Sequence, residues 1–528
     1  MISFRPFAGA RAAAFCIAAL AAVSTACAAA SASPPISAAT IDATVARAMK
    51  TFAIPGMAVA IVKDGKVSFA KGYGVRALGE PAPMDMDTVF QIGSNTKAFT
   101  AATLAILVDE GKLAWDDKVI DHLPQFQLHD PYVTREFTVR DLLTHRSGLG
   151  LGAGDLMFYP ATDFTRAEII HGLRYLKPTS SFRAKYDYDN LMYMVAGELI
   201  PAVTGLSWED FVEQRIFKPL QMNGCAASHA RLPPGVAFAE PHTMVDGKLT
   251  RIPVEDIRVI GGAGTVNCSA HDMAIWLQTQ LAHGHAPNGV TLFSEHRAEE
   301  MWTVNTVVEV KPVEAALLHT HFSGYGLGWE LTDEFGFKRV SHTGSVPGNQ
   351  TWVTMIPELD LGVLVFANQN DGYAMQAVGN QILDAYVGAP KRDLVTMVAA
   401  ITAKRAGDAA AVNADVVKTL ASGKPAALPL DAYVGRYTDA WRGDVSVRDD
   451  GGKLMLRFSH TGKLEGVLTP YVGNVFVVHW ADRSLDADAF VRFSQAFDGS
   501  VDGITMNVIS PTTDFSFDFQ DLSLVKTR

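Results

Sequence analysis

The stretch SNTKAFTAATLAILV, residues 94–108, joins a polar start to an apolar run that only two threonines interrupt. A helix that is apolar on all sides must be buried. Ser94 and Lys97 stand three residues apart, so they share one face of such a helix and their side chains can meet. The sequence therefore predicts a buried helix that starts with a serine hydroxyl beside a lysine amine.

These two residue types in this pattern suit nucleophilic catalysis. A serine hydroxyl is a weak nucleophile until another group takes its proton. A lysine desolvated at a buried helix start can lose its charge and accept that proton, and the helix N-terminus favours the developing oxyanion. A Ser-x-x-Lys pattern alone occurs roughly once by chance in a chain of this length, and an N-capping serine with a solvated lysine is the simpler explanation.

A second motif, Tyr188-Asp189-Asn190, precedes the apolar segment at residues 191–197. A tyrosine beside cationic groups can lose its proton at low cost and act as a base, and an asparagine can hold a substrate amide. Tyr186 is not a candidate, because no asparagine follows it two residues on. Taken alone, the triplet is more often a turn before a helix.

A third motif, His342-Thr343-Gly344, ends a predicted strand. A hydrogen-bonding residue followed by two small ones lets a substrate lie along the strand edge, where backbone N–H groups, including that of Ser345, can face an acyl oxygen. The tetrapeptide Ser-His-Thr-Gly occurs again at residues 459–462. We discount this copy because it lies in the C-terminal β-rich region, far from the other two motifs.

The three motifs, in this order and roughly 90 and 150 residues apart, resemble the class C branch of the serine β-lactamase and penicillin-binding-protein superfamily. The resemblance covers about residues 40–388. Three further stretches are similar to loops of that family: DLLTHRSGL (141–149), GGAG (261–264) and GYGLGW (324–329).

The resemblance implies an α+β fold, in which an antiparallel sheet flanked by helices carries a helical subdomain, with the site between them. It also implies acyl transfer through an ester on Ser94, with Lys97 and Tyr188 sharing the role of base. Asn190 would bind the substrate amide, and the N–H groups of Ser94 and Ser345 would form the oxyanion hole. No cofactor is expected.

The sequence departs from class C β-lactamases at His342, where those enzymes carry lysine. A His-x-Gly element is similar to the D-alanyl-D-alanine carboxypeptidase, D-aminopeptidase and esterase branches, and histidine offers less permanent charge for a substrate carboxylate. We therefore expect a hydrolase of D-amino-acid peptides or small esters. The alternatives are a β-lactamase proper and a non-catalytic penicillin-binding receptor or scaffold. Asp189 also stands where Ser or Ala is more usual.

The order of predicted elements indicates a sheet built from both ends of the hydrolase region. A helix over 41–52 and a hairpin around Asp64-Gly65 come first, and a helix-rich insert follows over about 94–320. We expect β-structure to return at residues 326–331, 339–342, 351–356 and 361–366, followed by a helix over 375–386.

With 528 residues the chain is too long for one ordinary domain. After residue 430 short strands and turns indicate a small barrel or sandwich. Its opening, YVGRY (433–437), resembles lipocalin-like barrels appended to D-stereospecific peptidases, in which the barrel covers the site or mediates assembly; whether this chain forms a homo-oligomer stays open. The predicted units are a signal peptide (1–32), the hydrolase domain (33–389), a helical linker (390–429) and an all-β barrel (430–528).

The N-terminal segment is typical of a secretory signal. Arg5 and Arg11 precede an apolar run over residues 12–23, and small residues suited to cleavage follow, near Ala30-Ser31-Ala32 or slightly earlier. Export to the periplasm or beyond is therefore expected. Cys27 leaves a lipid anchor open, although Ser24 stands where a lipobox usually has leucine.

In an oxidising compartment Cys225 and Cys268 could form a disulfide, or both could be small buried side chains. The net charge of −11 and the lack of basic clusters argue against binding of nucleic acid or anionic membranes. No segment after the signal is apolar enough to span a bilayer. The expected partner is a small peptide, ester or lactam substrate.

Other hydrolase classes lack their sequence signatures. The chain has no Gly-x-Ser-x-Gly nucleophile elbow. His319 and His321 lack the acidic and histidine partners that a catalytic metal needs, so no metal is expected. His145, in the Thr-His-Arg-Ser-Gly stretch, is expected to be a structural hydrogen-bonding residue rather than the general base.

Overall fold

The structure, a computed structural model, describes residues 36–527, so the predicted signal peptide lies outside the described part of the chain. The helices are α1 (Ala38–Phe52), α2 (Thr96–Asp109), α3 (Val119–His122), α4 (Pro131–Glu136), α5 (Val139–Leu142), α6 (Arg166–Gly172), α7 (Asn190–Thr204), α8 (Trp208–Val212), α9 (Lys218–Leu220), α10 (Ala270–Leu281), α11 (Glu295–Met301), α12 (Pro312–Leu318), α13 (Gly372–Val387) and α14 (Leu394–Ala421).

Two sets of strands dominate the β-structure. The hydrolase region contributes β1 (Gly56–Lys63), β2 (Lys66–Gly74), β3 (Val89–Gln91), β4 (His242–Val245), β5 (Lys248–Arg251), β6 (Asn267–Ser269), β7 (Thr306–Val308), β8 (Ser323–Tyr325), β9 (Glu330–Glu334), β10 (Phe337–Val346), β11 (Asn349–Ile356) and β12 (Leu361–Ala367). The C-terminal region contributes β13 (Gly435–Asp439), β14 (Gly443–Asp449), β15 (Leu454–Phe458), β16 (Glu465–Val472), β17 (Val475–Trp480), β18 (Ala489–Gln495), β19 (Val501–Val508) and β20 (Leu524–Thr527).

The central sheet has eight antiparallel strands in the order β2-β1-β12-β11-β10-β9-β8-β7. Its first hairpin turns at Asp64 and Gly65, whose φ angles of 52° and 70° suit a tight β-hairpin turn. β1 pairs along its length with β12, which lies about 300 residues further on. The prediction of one sheet closed by both ends of the hydrolase region is therefore confirmed.

Side chains of β1 alternate between two cores, as the period of a strand requires. Ala58, Ala60 and Val62 pack with the buried residues of α2 and α10. Met57, Val59 and Ile61 pack with α1 and α13 on the opposite face. The predicted α+β class, with helices on both sides of an antiparallel sheet, is confirmed.

One predicted strand is wrong in its extent. Residues 326–329 form a turn between β8 and β9 rather than part of a strand. Gly328 has a φ of 80° and lies so close to the carbonyl oxygen of Lys97 that a Cβ there would sit 2.8 Å from it. The chain bends here because it must pass over the start of α2.

The C-terminal strands β13 to β20 form a closed barrel in which each strand pairs with its sequence neighbours. Closure leaves no open strand edge. The 28-residue helix α14 precedes the barrel, within the predicted linker. The predicted all-β barrel is confirmed.

The barrel packs against the helical subdomain through polar contacts as well as apolar ones. The polar side-chain pairs across the boundary include Asp163 with His460, Glu255 with Lys463, and Asp155 with Ser516. The last pair lies directly beneath the predicted site. The docking of the barrel therefore bears on the active-site residues.

Cys225 and Cys268 form a disulfide, which settles the alternative that the sequence left open. Within residues 36–527 no single helix is long and apolar enough to cross a membrane. One pair of helical segments, Asn190–Thr204 and Trp208–Leu220, is long and apolar enough when taken together, by length and composition only. The two segments are bent by 80° relative to each other. Most of α7 is buried inside the protein.

Candidate active site

Ser94 lies in a single 3₁₀ turn, Gly93–Asn95, that leads directly into α2. Lys97 is on the first turn of α2 and is fully buried, as the apolar sequence of this helix predicts. The Lys97 Nζ lies 3.0 Å from the Ser94 Oγ. It also donates to Asn190 Oδ1 and to the carbonyl oxygen of Ala263, each at 2.8 Å.

The environment of Lys97 favours its neutral form. Burial lowers the pKa of Lys97 to about 7, and the negative charges of Asp155 and Asp189 oppose this shift. At neutral pH a large share of the lysine is therefore an uncharged amine. Such an amine can accept the proton of the Ser94 hydroxyl.

Tyr188 lies beside both Lys97 and Ser94. The Lys97 Nζ is 4.7 Å from the centre of the Tyr188 ring. Burial raises the pKa of Tyr188 well above its usual value, and the interaction with the Ser94 hydroxyl only partly opposes this. Tyr188 is therefore a neutral phenol in this state and is placed to donate a proton. Of the two groups expected to share the role of base, Lys97 is the one able to act first.

Asp189 and Asn190 have separate structural duties. Asp189 caps α7: its carboxylate accepts from the Met192 backbone N–H and from the Ser147 hydroxyl. This accounts for the acidic residue in the second motif, because an aspartate is a preferred N-cap. Asn190 Nδ2 donates to Asp155 over 2.8 Å, so the amide holds protein groups at both ends.

His342 is a neutral residue that is bonded on both ring nitrogens. Its Nδ1 lies 2.6 Å from the carbonyl oxygen of Thr343, which can only accept, so Nδ1 carries the hydrogen. Nε2 therefore accepts from the Tyr325 hydroxyl at 2.8 Å. Burial, together with the charge of Lys97, lowers the pKa of His342 to about 3. The site has no cation at this position at neutral pH.

The strand that carries the third motif lies against the residues before Ser94. A Cβ on Gly344 would collide with the carbonyl oxygen of Ile92, and a Cβ on Gly93 would sit 2.7 Å from the Ser345 nitrogen. These two glycines therefore allow the close approach that brings Ser345 beside Ser94. β9 pairs with β10 only as far as Ser341. Beyond that point, among the described residues, no strand pairs with this edge.

His145 is a structural residue in this fold. Its Nδ1 accepts from the backbone N–H of Asp189 over 3.0 Å, and its ring lies 4.3 Å from that of Tyr188, centre to centre. Burial lowers the pKa of His145 well below its usual value, so it stays neutral. It is packed behind Tyr188 and holds the start of α7.

The second Ser-His-Thr-Gly, at residues 459–462, is not part of the site. It lies between β15 and β16 of the barrel, where the His460 ring stacks on Phe164 at 3.9 Å and bonds Asp163. It therefore serves the contact between barrel and subdomain. Identical tetrapeptides thus have unrelated surroundings.

Four residues of the site had no signal in the sequence. Tyr325 lies within a stretch similar to a family loop, but its bond to His342 could not be anticipated. Asp155 begins a short 3₁₀ turn, and Ser516 and Asp518 lie in the loop between β19 and β20. None of the three belongs to a motif, and they meet only because the barrel docks here. Within residues 36–527 no group of three or more His, Cys, Asp or Glu side chains is arranged to hold a metal ion.

Comparison with protein families gives a match to the model described as Beta-lactamase over residues 41–387. The chain belongs to the beta-lactamase family. It is a serine hydrolase of this family, and the match contains all three motifs. A second model, a domain of unknown function, matches residues 421–526, which include the barrel.

Relatives of this beta-lactamase family member include hydrolases and penicillin-binding proteins. Unguisins hydrolase ungD of Aspergillus violaceofuscus is 28% identical over 74% of this chain and 73% of its own length. Penicillin-binding protein 4 of Amycolatopsis lactamdurans is 29% identical over 61% of this chain and 82% of its own. The octameric penicillin-binding protein homologue from Pyrococcus abyssi superposes with a TM-score of 0.60, at 24% identity, over 93% of this chain and 100% of its own. The last likeness concerns the fold.

Proposed function

We propose that this serine hydrolase forms an acyl-enzyme on Ser94 and cleaves a small amide or ester. The observation that carries the proposal is the 3.0 Å contact between Ser94 Oγ and the buried Lys97 Nζ. A lysine whose pKa is lowered to about 7 can serve as a base at neutral pH. Tyr188, which lies beside both groups, completes a path for protons.

Acylation uses these groups in sequence. Neutral Lys97 takes the Ser94 proton while Oγ attacks the acyl carbon, and the N–H groups of Ser94 and Ser345 hold the resulting oxyanion. Tyr188 gives its phenolic proton to the leaving amine or alcohol and regains one from the Lys97 ammonium. A water molecule then attacks the ester on Ser94, and the same groups work in reverse to release the acid and restore the hydroxyl.

We propose a D-amino-acid peptide, of the aminopeptidase or carboxypeptidase type, or a small ester as substrate. Neutral His342 supports an ester or an aminopeptidase-type peptide in particular, because a carboxypeptidase-type substrate ends in a carboxylate that would gain from a fixed cation there. The similarity of the His-x-Gly element and of the barrel to D-stereospecific relatives points to the same substrate class.

The test is a panel of p-nitrophenyl esters, D- and L-amino acid amides and nitrocefin, run on wild type and Ser94→Ala. Turnover of esters or D-amides above nitrocefin, lost in Ser94→Ala, supports the proposal. Fastest turnover of nitrocefin would identify a β-lactamase proper. Intact mass after incubation with a fluorophosphonate or penicillin tests the remaining alternative: an unlabelled, inactive wild type that behaves like Ser94→Ala would indicate a scaffold.

We further propose that the protein is exported. The charged and apolar pattern of residues 1–32 supports a signal peptide. The disulfide between Cys225 and Cys268 supports an oxidising compartment. Intact mass and N-terminal sequencing of the protein recovered from periplasm and medium give the cleavage site and show whether Cys27 carries lipid. Recovery of an uncleaved chain only in the cytoplasm would contradict export.

Domain limits of 33–389, 390–429 and 430–528 and assembly into a homo-oligomer are also proposals. The two family matches, 41–387 and 421–526, support the division. The octameric state belongs to the Pyrococcus abyssi homologue and makes assembly worth measuring here. Light scattering on the purified chain, with limited proteolysis across residues 390–429, tests both.

A further inference from the structure

A continuous chain of hydrogen bonds runs from the barrel to the nucleophile. Ser516, in the loop between β19 and β20, donates to Asp155 Oδ2 over 2.9 Å. The same oxygen accepts from Asn190 Nδ2 at 2.8 Å. Asn190 Oδ1 accepts from Lys97 Nζ at 2.8 Å, and that nitrogen lies 3.0 Å from Ser94 Oγ.

The same barrel loop also holds the backbone around Asp155. Asp518 accepts from the N–H of Gly154 at 2.7 Å and from that of Leu156 at 3.0 Å. These two residues flank Asp155 on either side. The barrel therefore fixes both the backbone position and the side chain of this carboxyl group.

The orientation of the Asn190 amide depends on Asp155. The two ends of an amide have similar shapes, and only their hydrogen-bond partners distinguish them. With a carboxyl oxygen accepting from Nδ2, the carbonyl end must face Lys97 and accept its hydrogen. A flipped amide would set its N–H₂ against the lysine N–H groups and lose both bonds.

The side chain of Asp155 depends on its hydrogen bonds with Ser516 and Asn190. Its side chain is fully buried, and its Oδ1 has no hydrogen-bond partner among the described residues. Loss of the Ser516 donor would leave Asn190 as the one side-chain donor to the carboxyl group. A buried acceptor that loses half its donors is strongly destabilised.

We propose that Asp155 and Ser516 are positioning residues of the hydrolase site, which keep the Asn190 amide oxygen on Lys97. The barrel and the hydrolase region then form one catalytic unit, since the barrel supplies the first donor of the chain. The inference rests on the proposed function, because it assigns these residues to the Ser94–Lys97 reaction.

The charged groups around Asp155 give the inference a pH signature. Burial raises the pKa of Asp155 well above its usual value, and the negative charges of Asp518 and Asp189 raise it further. The Ser516 hydrogen bond acts in the opposite direction and favours the ionised form. In its ionised form Asp155 in turn raises the pKa of Lys97. Ser516→Ala would favour neutral Asp155, and Asp155→Asn would remove its charge. Both changes should therefore lower the pKa of Lys97 further.

The experiment measures kcat and KM of the full chain with an uncharged p-nitrophenyl ester across the pH range. Ser516→Ala should lower kcat about tenfold, as for one hydrogen bond to a charged group, with KM changed less than twofold. The acidic limb of the pH profile of kcat should lie at lower pH in Ser516→Ala than in wild type. Asp155→Asn should move the limb in the same direction. Ser510→Ala is the matched control, because Ser510 lies in the same loop but its hydroxyl, among the described residues, bonds only Thr512.

A second control separates positioning from simple docking. His460→Ala weakens the contact of the barrel with Asp163 and Phe164 without touching the chain of hydrogen bonds. If Ser516→Ala matches either control in kcat and in pH profile, the inference is overturned. If Asp155→Asn does not fold, the comparison of Ser516→Ala with Ser510→Ala tests the inference by itself. An inactive wild type that fluorophosphonate does not label would instead refute the proposed function.

Discussion

Tyr325 donates its hydroxyl hydrogen to His342 Nε2 over 2.8 Å. Because His342 Nδ1 donates to the carbonyl oxygen of Thr343, the imidazole has no free donor and no charge at neutral pH. The third motif thus presents a neutral imidazole, where a lysine would present a cation. Substrate choice should follow from that difference.

A lysine at position 342 should increase the preference for substrates that carry a carboxylate. We expect His342→Lys to raise the ratio of kcat/KM for a carboxylate-bearing ester to that for an uncharged ester by about tenfold, the range of a charge-assisted hydrogen bond. Because both esters are measured on the same variant, any effect of the substitution on the activation of Ser94 cancels in this ratio. His342→Gln, which adds no charge, is the control, and an equal ratio in both variants would contradict the interpretation.

Activity should depend on the neutral form of Lys97. With the pKa of Lys97 lowered to about 7, the amine is protonated and unable to act as base below that value. We expect kcat/KM to rise about tenfold per pH unit below 7 and to level off above it. The measurement uses an uncharged ester between about pH 5 and 9, with Ser94→Ala as background. A flat profile through this range would show that Lys97 is not the base.

The close approach of β10 to Ser94 should tolerate no side chain at position 344. Gly344→Ala would push its methyl group against the carbonyl oxygen of Ile92 and displace the strand. We expect a loss of at least about 100-fold in the rate of fluorophosphonate labelling, since small misplacements at a reacting centre have such effects.

The chain supplies its own control for this change. Gly462 ends the second Ser-His-Thr-Gly, and a Cβ there would meet nothing within 4 Å. Gly462→Ala should therefore label at the wild-type rate. Equal labelling rates of Gly344→Ala and Gly462→Ala would show that the close contact between Gly344 and Ile92 is not needed for the reactivity of Ser94.

The disulfide between Cys225 and Cys268 should stabilise the helical subdomain. It joins residues 43 apart, and a loop of this size corresponds to about 2–4 kcal/mol in the free energy of unfolding. Urea unfolding with and without dithiothreitol should show that difference in wild type. The Cys225→Ser, Cys268→Ser double variant should not respond to the reductant, and a wild type that also does not respond would contradict the prediction.

Much of the fold could be predicted because its signals are local. The apolar run after Ser94 predicted a buried helix, Asp64-Gly65 predicted a hairpin, and short alternating strands after residue 430 predicted the barrel. Where the prediction failed, at residues 326–329, a long-range constraint acted: the chain must turn over the carbonyl oxygen of Lys97. Periodicity cannot report a contact between segments more than 200 residues apart.

By itself the sequence determined which residues are available for chemistry: Ser94 and Lys97 on one helix face, with Tyr188 and His342 in motifs of fixed order. Their states were decided by tertiary structure. Burial lowers the pKa of Lys97, and two internal hydrogen bonds keep His342 neutral. The contact of Ser516 with Asp155 likewise exists only in the folded chain. Hydrogen bonds and desolvation depend on distances in space, which residues 361 positions apart acquire only through folding.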